Sequence, residues 1–152
     1  MSHVVDCQIV FKDLDCVRLA CDELGLEFKE NQKTHKWFGR WVNDYDNEDA
    51  AYRAGIDPSQ YGTCEHAIAV KNDSAAYEAG LLQNPNGEGF VMIFDFYGEC
   101  GQRLQNKIGK NGAKLKTRYG VNLQKKIAKK YGYTKFREEP NECGNINLII
   151  EY

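Results

Sequence analysis

No stretch of this chain approaches the run of about 20 apolar residues that a membrane-spanning helix requires, so no helical membrane partner is expected. No Cys-x-x-Cys occurs among the six cysteines, Cys7, Cys16, Cys21, Cys64, Cys100 and Cys143. Closed zinc sites usually show two close ligand pairs. Cys64-Glu65-His66 supplies at most one, with Cys100, Cys143 and His35 elsewhere, so no metal is expected. The opening Met1-Ser2-His3-Val4-Val5-Asp6 has neither a basic n-region nor an uninterrupted apolar one, and reads as no secretory leader. Reduced thiols in a cytoplasm-like compartment follow. Only 3 prolines interrupt the chain, and 42% apolar against 28% charged residues is the composition of a folded domain rather than a disordered one.

The absence with the most consequence is local. Between Gly101 and Arg137 there is no Asp or Glu, yet 12 of the 20 Lys and Arg residues lie there. The rest of the chain holds all 22 acids against 8 bases. A near-neutral total thus conceals a strongly basic segment and an acidic remainder. A basic surface concentrates polyanions. The same lysines can equally coat solvated helix faces, or pair with the acidic remainder within one chain or head-to-tail in a homo-oligomer.

Hydrophobic periodicity sets the fold class. Val4 to Phe11 alternates as a half-buried strand. Asp13 is placed to cap a helix in which Leu14, Val17, Cys21 and Leu24 recur at helical spacing, and Gly25 ends it. Leu26 to Glu30 and His35 to Val42 read as strands joined by a polar turn. Asn43 to Gly62 reads as an insertion with a short helix from Asn47 to Ala54. Its Asp44, Asp46 and Glu48 alternate like a calcium loop, but Asp49 stands where the EF-hand glycine belongs and Gly55 where the bidentate Glu belongs.

Cys64 to Lys71, Tyr77 to Gln83 and Phe90 to Tyr97 follow as strands. Phe90-Val91-Met92-Ile93-Phe94 is apolar on both faces and therefore central. Leu115, Tyr119, Leu123, Ile127 and Tyr131 form a stripe on a basic helix, with Ile127 expected to face the sheet. Tyr133 to Arg137 and Ile146 to Tyr152 close the chain. The order β-α-β-β, insertion, β-β-β-α-β-β predicts a single α+β domain over 1–152, a mainly antiparallel sheet with two principal helices packed on it.

Several pieces carry a resemblance. They are Met1-Ser2-His3-Val4, Ile9-x-x-Lys12-Asp13-Leu14-Asp15, Ala20-Cys21-Asp22-Glu23-Leu24-Gly25-Leu26-Glu27, His66-Ala67-Ile68, Tyr77-Glu78-Ala79-Gly80-Leu81, Phe94-Asp95-Phe96-Tyr97-Gly98, Tyr119-Gly120-Val121 and Lys130-Tyr131-Gly132-Tyr133. Together they resemble the plastid and cyanobacterial hypothetical reading-frame 35 family, a domain of unknown function with bacterial and phage relatives. The resemblance carries over no established activity and no catalytic residues, and no cofactor is expected. Some members are similar to genes found beside those of AAA-type ATPases, which implies an accessory role with such an ATPase as partner. It also widens the expected compartment to a plastid stroma or a phage host's cytoplasm.

Three clusters have chemistry to consider. Gly109-Lys110-Asn111-Gly112, followed by Lys114 and Lys116, is similar to the Gly-x-x-Gly loop of KH domains, where two glycines let the backbone approach a nucleic-acid backbone. KH topology wants a strand soon after the second helix, whereas Val121 to Lys130 reads helical. A basic loop joining two helices is the alternative. Gly109, Lys110, Gly112, Lys114, Lys116, Lys125 and Lys129 are the candidate contacts to a nucleic acid or an acidic protein surface. His66 and Asp95 are polar residues on apolar strands, the form a general base with its orienting acid could take. No nucleophile accompanies them, and a buried, hydrogen-bonded histidine is the simpler reading. Trp37 and Trp41 share a face with His35, opposite Lys36 and Arg40, and could stack on bases or pack in the core.

Overall fold

Asp13 ends the first strand and begins the first helix. Its carboxylate accepts from the Cys16 amide at 3.1 Å, satisfying one of the donors that a helix start leaves without partners. β1 (Val4–Phe11) thereby gives way to α1 (Leu14–Leu24). α1 stops at Gly25, whose φ of 73° is a left-handed conformation that glycine adopts without a Cβ penalty. The computed structural model describes residues 4–37, 62–142 and 145–151. All of the expected insertion at 43–62 except Gly62 lies outside them, as do Arg40, Trp41 and Cys143.

The remaining elements are β2 (Leu26–Lys29), β3 (His66–Val70), β4 (Ala79–Gln83), β5 (Phe90–Asp95), α2 (Gly98–Ile108), a single 3-10 turn (Lys110–Gly112), α3 (Ala113–Lys130), β6 (Lys135–Pro140) and β7 (Ile146–Glu151). Five strands form one sheet in the order β1-β5-β4-β3-β2, antiparallel at every pairing. β6 and β7 make a separate two-stranded antiparallel sheet. This is the α+β architecture the periodicity implies, with α1 and α3 as the principal helices and α2 leading into α3.

Both faces of the large sheet are covered. On one face Phe11, Ile68, Val70, Leu81, Met92 and Phe94 pack with Val17, Ala20 and Cys21 of α1, Leu104 and Ile108 of α2, and Leu115 and Tyr119 of α3. On the other, Ala67, Leu82, Val91 and Ile93 pack with Cys64 and Trp37. Residues 91–95 of β5 are all buried, because side chains of alternate residues point to opposite covered faces. Trp37 belongs to this second core layer.

Two expectations need correction. Among the described residues β2 does not pair with the segment that follows it. Its partner is β3, in the register Leu26↔Val70, and residues 35–37 form no strand, only the Thr34↔Thr63 bridge preceding them. The turn at Asn31 to Thr34 is thus not a hairpin loop.

The stripe on α3 also drifts. Leu115 is fully buried, Tyr119 nearly so and Leu123 partly, but Ile127 is 41% exposed and Tyr131 78%. Four residues turn a helix about 40° more than a full revolution, so three such steps carry the row about 120° off the core. Ala128 takes the buried position instead. Leu115→Ala should cost about 2–5 kcal/mol, and Ile127→Ala no more than about 1 kcal/mol. Equal shifts in urea midpoint for the two variants would contradict this packing.

Candidate anion-binding surface

α2 is amphipathic, burying Gly101, Leu104 and Ile108, and it ends where Gly109 donates its N–H to the Gln105 carbonyl at 2.8 Å. The chain then reverses in one turn. Gly109 and Gly112 sit at φ 82° and 74°, Asn111 at 56°, and the Gly112 N–H reaches the Gly109 carbonyl at 3.0 Å. Both glycines are buried. A Cβ on Gly109 would lie 2.7 Å from the backbone nitrogen of Lys114. The glycines therefore permit a close helix-to-helix turn, and the exposed part of the motif is Lys110, Asn111 and Lys114. The strand that follows α3 is β6, which joins only β7 and not the large sheet.

Lys114 donates its Nζ to the Asn106 carbonyl at 3.1 Å, meeting an acceptor at the negative end of α2. Lys116 lies half-buried on α3, and Lys129 is exposed near its end. Lys125 meets Glu138 of β6 at 3.3 Å. The seven candidate contacts are therefore not one cluster: five surround the turn and its first helical residues, one is paired, and one lies at the far end of α3.

Acids from outside the basic segment neutralise part of it. Arg103 meets Asp73 at 3.1 Å and Glu99 at 3.0 Å. Arg118 bridges Glu23 of α1 and Glu138. Lys126 holds Asp13, and Arg137 holds Glu139 at 3.2 Å. The Lys126 hydrogen bond keeps the Asp13 carboxyl below its usual range, and that from Arg118 does the same for Glu138. Among the described residues, Lys107, Lys110, Lys116, Lys129, Lys130 and Lys135 have no acidic partner. Self-pairing thus accounts for five of the twelve cations.

His66 and Asp95 form no dyad. His66 shares the helix-covered face with Ile68 and Val70, whereas Asp95 follows Val91 and Ile93 on the opposite face. His66 accepts from the Asn31 amide at Nδ1, 2.9 Å away, and its ring lies between Phe28 and Phe90. Accepting at Nδ1 leaves the neutral ring's proton on Nε2. Asp95 accepts from the Tyr97 amide at 2.8 Å. Each polar group closes a turn.

Two further polar residues, Glu78 and His35, are buried. Glu78 accepts from Gln32 Nε2 at 3.1 Å and from the Lys36 amide at 3.0 Å, with Lys29 at 3.5 Å. His35 lies over Gly80, where a Cβ would fall 2.5 Å from its Cδ2. The signal was present in Tyr77-Glu78-Ala79-Gly80, a carboxylate beside a strand position with no side chain. Cys64 donates to the Gln32 carbonyl at 3.1 Å, and burial pushes its thiol up to about 12. It is a neutral thiol rather than a nucleophile. Among the described residues no three His, Cys, Asp or Glu side chains gather as a metal set, and no helix is long and apolar enough to cross a membrane.

Burial lowers the pKa of both His35 and His66 below the usual 6.5. A depressed folded-state value means that the unfolded chain binds the protons more tightly. The associated stability is complete above about pH 6.5 and is lost as pH falls through the folded-state values. Urea midpoints should therefore decline from pH 7.5 towards 5, before the carboxylates Asp13 and Glu138 begin to protonate. The His35→Gln/His66→Asn double variant should flatten that decline, and a flat profile in the unmodified protein would contradict the assignment.

No protein-family model, curated protein or solved structure matches the chain.

Proposed function

We propose that this protein is a small non-enzymatic binding or accessory protein that contacts an anionic partner through the cations around the Gly109–Gly112 turn and the end of α3. The observation that carries this reading is the division of the basic segment. Five cations are matched to acids, while Lys107, Lys110, Lys129 and Lys130 are exposed and without acidic partners among the described residues. No acid interrupts the segment to cancel their field. The resemblance to the hypothetical reading-frame 35 family agrees with an accessory role and an AAA-type ATPase as partner, while the acidic remainder of the chain makes a second copy the other candidate.

The test is retention of the unmodified protein on heparin and on single-stranded nucleic acid at low salt. A phosphate-binding surface should lose affinity with a log–log slope of roughly −0.7 per phosphate on single strands. Indifference to both matrices would sink the polyanion form of the proposal and favour an acidic protein surface.

A nucleic-acid module is the second reading, favoured by one feature, the Gly-x-x-Gly turn between two helices. The burial of Gly109 and Gly112 sets a condition on it: the ligand would meet the exposed Lys110, Asn111 and Lys114 rather than the glycines. Nothing in the arrangement of His66 and Asp95 supports an enzyme acting through that pair.

A further inference from the structure

The β6–β7 hairpin leaves two open edges, and they differ. β6 reads Lys-Phe-Arg-Glu-Glu-Pro, and charge and proline are the usual protection of a free edge against strand addition. β7 reads Ile-Asn-Leu-Ile-Ile-Glu, with a single charge at its end. Asn141 donates to the Asn145 carbonyl at 2.9 Å. The alternation of an antiparallel ladder then turns the N–H and C=O groups of Asn145, Asn147 and Ile149 towards β6, and those of Ile146, Leu148 and Ile150 away from it. Among the described residues nothing bonds to these outward groups.

Beside that edge runs a groove of about 500 Å³. Lys116, Thr117, Gly120, Val121 and Gln124 of α3 form one wall, a stripe at helical spacing about 12 Å long. Four consecutive residues, Asn145 to Leu148, form the other. Consecutive residues of a strand lie on opposite faces, so the groove follows the edge of β7 rather than one face. Gly120 keeps the helix wall low, since a Cβ there would meet nothing within 4 Å. Arg118 and Lys125, both bonded to Glu138, hold the hairpin at this distance from α3. No acid lines the groove, and Lys116 is its only charge among the described residues.

We infer that this groove binds an extended peptide segment of a partner protein, which adds as a third strand to β7 and places an acidic side chain or a carboxylate against Lys116. Main-chain bonds to Ile146 and Leu148 would give the affinity, and the helix wall would select side chains, as in other strand-addition sites. The groove spans three to four peptide residues at about 3.3 Å each. It shares only Lys116 with the polyanion reading.

The probe is a labelled peptide of roughly ten residues, alternating Thr and Val and ending in two Glu. The unmodified protein should bind it. N-methylation of alternate peptide amides, which removes the strand's donors on one edge, should weaken binding at least about tenfold in one of the two phases. Replacing its Glu with Lys should weaken it as well. Gly120→Leu should fill the groove and block the peptide while preserving helical circular dichroism, and Lys116→Glu should repel it. Absent binding, or binding indifferent to both N-methylation phases, overturns the inference using the unmodified protein alone. A dimer in sedimentation that Gly120→Leu dissociates overturns it too, by making a second copy the occupant. Loss of heparin retention with peptide binding intact would sink only the polyanion proposal, and the reverse result only this one.

Discussion

Gly101→Ala should destabilise the protein by about 3 kcal/mol or more, as severe overpacking does, although alanine is ordinarily worth about 1 kcal/mol over glycine inside a helix. Gly101 is buried in the first turn of α2. A Cβ there would stand 2.2 Å from the carbonyl carbon of Phe96 and 2.6 Å from its Cα and oxygen. These are backbone atoms, so no rotamer change relieves the clash. Phe96 is itself anchored, its ring 4.6 Å from that of Phe94 between centroids. Relief would require moving α2 or the end of β5. Gly120→Ala is the control: in α3, with nothing near the added carbon, it should stabilise by about 0.5–1 kcal/mol. Chemical denaturation of the two variants should thus give shifts of opposite sign, and a neutral Gly101→Ala would mean that α2 does not pack so closely against Phe96.

Reversing Lys107, Lys110, Lys129 and Lys130 together to Glu should abolish retention on heparin and single-stranded nucleic acid at low salt. The change removes four positive charges and adds four negative ones, leaving Lys114, Lys116 and Lys135 as the segment's only other cations without an acidic partner among the described residues. These four side chains are exposed and have no acidic partner among the described residues, so the fold should survive. Lys107, Lys129 and Lys130 lie in the last turns of α2 and α3, where each reversal should cost about 0.3–1 kcal/mol against the helix dipole. Lys110, in the turn between the two helices, should contribute within about 0.5 kcal/mol. Reversing Lys125 and Lys126 instead should lower stability, because each would set a carboxylate against Glu138 or Asp13. A milder set, the same four lysines changed to Gln, should reduce the salt slope in proportion to the phosphates lost. Undiminished retention by the four-Glu variant would show that the charge lies elsewhere. Gly109 and Gly112 are poor probes of binding, since side chains at these buried, positive-φ positions would disturb the turn before they met any ligand.

What local chemistry controls could be read directly. The cap at Asp13, the stop at Gly25 and the two-faced burial of β5 each depend on a few adjacent residues. The partner of β2 could not be read, because antiparallel pairing depends on register over 36 residues or more of intervening chain, not on the polar turn that follows it. The α3 stripe misled beyond Leu123 because a spacing of four was read as constant where the helix repeat is 3.6. The basic segment was legible as composition, but its division into paired and unpaired cations was not. Glu23, Asp13, Asp73 and Glu138 reach it from four other places in the chain. Gly101 carried no signal as a letter, since only the approach of Phe96 makes it necessary.

The strand order β1-β5-β4-β3-β2 also has a consequence for the chain as it is made. β3, β4 and β5 form a meander that can zip locally, but the first strand synthesised pairs only with the last of the five. Roughly 80 residues separate the end of β1 from the start of β5, so at about 5–20 residues per second β1 waits some 4 to 16 seconds for its neighbour. β2 waits for β3 in the same way. During that interval both flanking strands are exposed on the nascent chain, joined by a helix whose apolar side has nothing to cover it. Pausing or holding by a chaperone should matter most in this window, and the sheet is completed from its middle outwards.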